Sequence, residues 1–227
     1  LKKLLLTLIV LILLLPYQQI NAESESPDIT AGAALLMDSK TSKILYSKNE
    51  NEKMYPASTT KIMTAILTIE NCNLDDIVTV PYDAIATIPS GYSIAALQTG
   101  EQLTVNQLLQ LMMVHSANDA ANVLAFHVAG SIESFATMMN TKVAELGLEH
   151  THFLNPSGMH NEDHYTTAYD LAKLMQYCMK NSTFRTIAGL KFCTVPATNK
   201  YGERIFTSTN ELLTLVDNRN VASNYYY

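Results

Sequence analysis

The nine residues Pro56-Ala57-Ser58-Thr59-Thr60-Lys61-Ile62-Met63-Thr64 set a serine three places ahead of a lysine and then run on in apolar residues. A serine hydroxyl is a poor nucleophile at neutral pH until a partner takes its proton. On a helix, a residue three positions further on lies on the same face, roughly one turn away. A lysine placed there can accept that proton if burial or neighbouring cations hold its pKa down. Pro56 restricts how the chain enters the helix. The run Ile62-Met63-Thr64-Ala65-Ile66-Leu67 makes the surroundings apolar, where an ammonium is costly without a purpose. Ser58-x-x-Lys61 is the one Ser-x-x-Lys in the sequence. Alone, the pattern fits equally a helix N-cap followed by a solvated lysine.

Downstream stands Ser116-Ala117-Asn118. Ser-x-Asn also occurs at Ser47 and Ser208, so the pattern is weak by itself. Its place distinguishes the copy at Ser116, which separates an apolar helical run at 108–114 from another at 119–128. A helix junction can fix polar side chains at the mouth of a cleft. Position alone favours a plain N-cap for Ser116.

With these stretches side by side, the sequence resembles the serine D-alanyl-D-alanine carboxypeptidases, the low-molecular-mass penicillin-binding proteins. Residues 56–64 resemble their first motif, and Ser116-Ala117-Asn118-Asp119-Ala120-Ala121 their second with its flanks. Asn155-Pro156-Ser157-Gly158-Met159, then His164-Tyr165-Thr166-Thr167-Ala168-Tyr169-Asp170, resemble a later family stretch. Ser-x-x-Lys, Ser-Asp-Asn and Lys-Thr-Gly together mark these proteins and the class A β-lactamases. The likeness runs in family order from about Ala31 to the chain end. It implies an α+β (mixed α/β) fold of the DD-peptidase/β-lactamase kind. In that fold the terminal segments share one antiparallel sheet, packed against a mostly helical block.

The resemblance also implies roles. Ser58 would be the acyl-enzyme nucleophile and Lys61 its general base. Ser116 would relay a proton towards the leaving amine, and Asn118 would hold the substrate's peptide backbone. The Ser58 N–H, at a helix N-terminus, would supply half an oxyanion hole. The implied reaction removes the terminal D-alanine from peptidoglycan pentapeptides, with no metal or organic cofactor. The implied partners are stem peptides ending in D-Ala-D-Ala, with β-lactams as inhibitors that acylate Ser58.

The third motif, Lys-Thr-Gly, is absent. Gln98-Thr99-Gly100 has the wrong first residue and falls between the other two motifs. The sequence stops at Tyr225-Tyr226-Tyr227, where the family has a tyrosine-containing lead-in to the third motif. The expectation is therefore a chain cut before that motif, with an incomplete sheet and no activity of its own. Membrane contact is expected only through a C-terminal segment beyond residue 227. One alternative is a β-lactamase. Against it, Thr151-His152-Phe153-Leu154-Asn155 carries threonine where class A enzymes carry the glutamate of Glu-x-x-Leu-Asn, and threonine cannot act as a carboxylate base. The other is a non-catalytic, truncated cell-wall-binding remnant.

Lys2-Lys3, an apolar stretch at 4–15 and Ile20-Asn21-Ala22 have the form of an export signal over residues 1–22. Residues 23–30 read as a linker and 31–227 as the catalytic domain. The expected location is the outer side of the cytoplasmic membrane, the cell wall or the periplasm. A formal net charge of −6 gives no footprint for nucleic acid and none for a polybasic membrane patch. Cys72, Cys178 and Cys193 are too few for a disulfide scaffold. Cys72 and Cys178 read as core residues, and any single pairing stays open.

Strands are expected at 31–38 and 43–47, and a hairpin at Phe192–Val195 and Arg204–Thr207. Thr104-Val105-Asn106-Gln107 has the form of a capping box, and Thr167 that of a helix cap. His160 and His164, with acids between them, could ligate a metal on a helix, but Asn155, Pro156, Gly158 and Asn161 argue for a loop. Glu101 and Asp119 are further carboxylates without a visible partner.

Overall fold

In the computed structural model, strands β1 (Ala34–Met37) and β2 (Ile44–Lys48) form an antiparallel ribbon. Asp38 builds the turn between them by accepting bonds from the Lys40 and Thr41 N–H groups and the Thr41 hydroxyl. A 3₁₀ turn, Ala57–Thr60, runs directly into α1 (Lys61–Asn71). Strand β3 (Ile77–Thr79) and the short α2 (Tyr82–Ile85) follow, and β4 (Gln102–Thr104) pairs antiparallel with β3. The helical block continues through α3 (Val105–His115), α4 (Asn118–Ala129), α5 (Ile132–Glu145), α6 (Ala168–Cys178) and α7 (Ser182–Ala188). Strands β5 (Phe192–Val195) and β6 (Arg204–Thr207) make a hairpin at the expected residues, and α8 (Glu211–Leu215) comes last. The structure describes residue 27 and residues 29–215. The expected export signal at 1–22 lies outside the described residues. The chain divides into Leu1–Thr30 and a body beginning at Ala31.

Local chemistry sets the helix ends. Thr104 and Gln107 close a reciprocal capping box, the Thr104 hydroxyl accepting from the Gln107 N–H and the Gln107 side chain from the Thr104 N–H. Thr167 caps α6 by accepting from the Asp170 N–H. Removing such a cap typically costs about 1 kcal/mol.

Helix α4 is the centre of the core. Its residues from Asn118 to Ala125 are all buried, and it packs against α1, α2, α3 and α5. Ala120, Ala121 and Ala125 keep its surface low, so the neighbouring helices come close. Leu108, Leu109, Leu111 and Met112 of α3 and Met63 and Ile66 of α1 fill the space around it. Each such side chain contributes about 1.5–3 kcal/mol by leaving water.

The sheet is incomplete, as expected. Among the described residues the strands form three separate two-stranded ribbons. β1 lies against α6, whereas β5 and β6 lie against α3, so helices rather than strands connect the two hairpins. Cys72, Cys178 and Cys193 are all free thiols. Burial pushes Cys178 up to about 12 and Cys193 up to about 11, which leaves both unreactive core residues. No helix among the described residues is long and apolar enough to cross a membrane.

Candidate active site

Three segments meet around the Ser58 hydroxyl. The first is the 3₁₀ turn. Ala57 enters it in the left-handed region, with φ of 45°, a conformation costing a residue with a side chain roughly 1–2 kcal/mol. Ser58 is left exposed, while Thr60 and Lys61 turn inward. Lys61 Nζ donates to Ser58 Oγ at 3.1 Å and to the Ser157 carbonyl at 2.7 Å. At 3% relative exposure, Lys61 has no carboxylate among its described partners. Burial alone therefore acts on its charge and brings its pKa down from 10.5 to about 8.

The second segment is the junction between α3 and α4. The Ser116 hydroxyl donates to Ser58 Oγ at 3.0 Å, so Ser58 Oγ sits between an amine and a second hydroxyl. Ser116 is not the N-cap that its position suggests. It closes α3 as a left-handed C-cap, with φ of 59°, and Ala117 occupies the N-cap of α4. The left-handed turn frees the hydroxyl from capping and aims it at Ser58.

Asn118, the first residue of α4, is buried. Its N–H is held by the Ser93 carbonyl at 2.8 Å, and its Oδ1 has no hydrogen-bond partner among the described residues. An orphaned buried carbonyl costs about 1–3 kcal/mol, a reason to expect a ligand group there. Ser93 also donates its hydroxyl to the His115 carbonyl. Asp119 pins the same segment by accepting from the Ala95 and Leu97 N–H groups at 2.9–3.0 Å. This carboxylate is thus spent on backbone.

The third segment is the loop 154–159. Asn155 Oδ1 accepts from the Ser157, Gly158 and Met159 N–H groups, folding the loop on its own side chain. The Pro156 carbonyl accepts from Thr64, one turn beyond Lys61. Gly158, with φ of 86°, passes so close to the turn that a Cβ would lie 1.7 Å from the Ala57 carbonyl oxygen. Only glycine permits that approach, and the approach brings the Ser157 carbonyl over Lys61. Sequence reasoning noted this stretch without giving any of its residues a function. Its Asn-Pro-Ser-Gly turn signature was the signal available.

The histidine pair is divided between surface and interior. His160 is exposed, with its ring edge-on to Tyr55 at 4.6 Å. His164 is buried beneath the 3₁₀ turn, 2.8 Å from Thr60 Oγ1 through Nε2. Thr151 donates its hydroxyl to Asp170 at 2.8 Å, at the start of α6. Glu101, fully buried, pairs with Arg204. Arg204 also donates to the Ala95 carbonyl at 3.1 Å.

Residues 20–221 match the peptidase S11 family model, described as D-alanyl-D-alanine carboxypeptidase. The chain belongs to this family. It is 36% identical over 198 residues to the D-alanyl-D-alanine carboxypeptidase DacF of Bacillus subtilis, covering 83% of this chain and 50% of the relative. It is 38% identical over 188 residues to a D-alanyl-D-alanine carboxypeptidase of Streptomyces sp. strain K15, covering 78% of this chain and 64% of that one. The chain thus spans between half and two thirds of these relatives. The crystal structure of the Streptomyces K15 DD-transpeptidase matches with a TM-score of 0.78 at 35% identity, over 84% of this chain and 78% of that one. The DD-peptidase fold expected from the motifs is the fold of this chain.

Proposed function

We propose that this protein is a serine D-alanyl-D-alanine carboxypeptidase, removing the terminal D-alanine of peptidoglycan stem peptides through an acyl-enzyme. The observation that carries the proposal is the Ser58 hydroxyl, held 3.1 Å from a buried lysine amine that no acid among the described residues neutralises and 3.0 Å from the Ser116 hydroxyl. Lys61 takes the Ser58 proton as Oγ attacks the penultimate carbonyl carbon. The Ser58 N–H faces the developing oxyanion. Ser116 passes a proton to the departing D-alanine amine, and Asn118 Oδ1 accepts an N–H from the substrate backbone. Water then cleaves the Ser58 ester. β-Lactams occupy the same site and acylate Ser58. The familial likeness to carboxypeptidases and a DD-transpeptidase supports this reading.

Export belongs to the same proposal, because the substrate lies outside the cytoplasm. Residues 1–22 act as the signal, and 31–227 as catalytic domain. Any membrane contact comes from a segment beyond residue 227.

The test is covalent labelling of the full-length protein with a fluorescent penicillin, beside release of D-alanine from a peptide ending in D-Ala-D-Ala. Both activities should be present, and Ser58→Ala should abolish labelling. Rapid multiple-turnover penicillin hydrolysis without D-alanine release would instead make the protein a β-lactamase.

A further inference from the structure

We infer that His164 is a positioning residue for Lys61, clamping the nucleophile turn to the loop that holds the lysine amine; this rests on the carboxypeptidase reading above. The hydrogen bonds of the His164 ring go to neither Ser58 nor Lys61. They reach both of the segments that place those residues. Nε2 lies 2.8 Å from Oγ1 of Thr60, the last residue of the nucleophile turn and the one directly before Lys61. Nδ1 accepts from the Leu154 N–H at 3.0 Å, at the start of the loop whose Ser157 carbonyl binds Lys61 Nζ. The Asn155 side-chain amide approaches the same nitrogen at 3.4 Å.

These partners fix the tautomer. A backbone N–H can only donate, so Nδ1 must be the bare nitrogen, and the ring proton sits on Nε2, donated to Thr60. The clamp works only while the ring is neutral. A second proton at Nδ1 would face the Leu154 N–H donor to donor and push the loop away. The setting keeps the ring neutral near neutral pH. Burial, then the charges of His152 and His160, brings it from 6.5 to about 4. The Phe153 ring packs edge-on to the imidazole at 5.5 Å and keeps it in place.

Loosening the loop would withdraw the Ser157 carbonyl from Nζ and admit water to Lys61. Two consequences follow for Lys61: poorer placement beside Ser58 Oγ, and a pKa returning towards that of a solvated amine. Small displacements of this kind can cost up to about 10²-fold in rate.

The experiment measures penicillin acylation of the full-length protein across pH in His164→Asn, His164→Gln and His164→Ala, with thermal unfolding alongside. Asparagine puts an acceptor where Nδ1 sits and so keeps Leu154. Glutamine reaches towards Thr60 and leaves Leu154 unpaired. Alanine loses both. The expected order of acylation rate is wild type, Asn, Gln, Ala. The alkaline rise in rate should move to higher pH in Ala and Gln and stay near the wild-type position in Asn. Unchanged rates and pH profiles in the folded variants would overturn the inference. So would losses that track unfolding temperature with the pH profile fixed. Should His164→Ala fail to fold, the Asn–Gln contrast still decides, and ring ¹⁵N signals of the wild type give an arm independent of activity. A protonated Nδ1 would contradict the clamp. Absence of labelling in the wild type itself would instead sink the carboxypeptidase proposal, and the inference with it.

Discussion

Lys61 and Arg204 are both buried cations, and they are buried on opposite terms. Arg204 sits against the Glu101 carboxylate, donates to the Ala95 carbonyl and lies 4.8 Å from the centre of the Tyr201 ring. Its charge is compensated where it stands, and it ties β6 to the segment that Asp119 also holds. Lys61 has a hydroxyl and a backbone carbonyl and no acid among the described residues. Its charge is expensive, and the cheapest relief is loss of the proton. A paired cation is architecture; an uncompensated one beside an exposed serine hydroxyl is what the proposed base role requires. The strain around it agrees, since left-handed Ala57 and Ser116 both border Ser58.

The widest separation between the two cations should come from Lys61→Arg. Arginine keeps the charge and cannot give up its proton. Acylation by penicillin should fall by about 10² to 10⁴-fold, as general-base losses do, with circular dichroism unchanged. A rate within a few-fold of wild type would mean that Lys61 only positions charge.

On the other side of the comparison, Glu101→Ala leaves Arg204 buried without its acid. Unfolding in denaturant should show a loss of about 3–5 kcal/mol. Acylation per folded molecule should suffer far less than in Lys61→Arg. A near-neutral Glu101→Ala would erase the distinction between the sites.

Lys61→Met tests the cost of the unpaired amine through pH. The folded pKa of about 8 lies below the free value of 10.5, so between them the unfolded chain binds more protons and wild-type stability rises with pH. Below the folded value the full penalty applies. Lys61→Met should therefore be the more stable protein at neutral pH, by a margin that narrows as pH climbs towards 10.5. A margin that does not vary with pH would mean that Lys61 is not held away from its charge.

The smallest effect is expected from Ser116→Gly. Glycine relieves a left-handed conformation worth about 1 kcal/mol and removes the hydroxyl facing Ser58. Thermal stability should hold or rise slightly while D-alanine release falls. A clear drop in melting temperature would return Ser116 to a structural role.

Much of the frame was legible in the sequence because it is local. The β5–β6 hairpin, the Thr104–Gln107 capping box and the Thr167 cap all depend on residues a few places apart, and they stand where their patterns put them. The meeting of Ser58 with Lys61 is local in the same way. What stayed hidden is made across the chain. Nothing near Lys61 announces the Ser157 carbonyl, nor does Glu101 point to Arg204. His164 reads in the sequence only as a loop residue near His160, because its sequence neighbours are visible and its spatial ones, Thr60 and Leu154, are not. For Ser116, position alone favours an N-cap while the family resemblance makes it a proton relay, and the C-cap it forms follows from neither. A left-handed C-cap on a serine is a strained choice that local propensity does not anticipate. The sheet is incomplete, as expected: among the described residues β1 and β2 pack beside α6, and β5 and β6 beside α3.

The most direct measurement is the pH dependence of the acylation rate of full-length protein, using a β-lactam that does not itself titrate in the range. A neutral Lys61 serving as base requires the rate to rise with pH through an apparent pKa of about 8. That limb should disappear in Lys61→Arg. A limb near 10.5, the value of a solvated lysine, or one that survives Lys61→Arg unchanged, would contradict the assignment of Lys61 as the base.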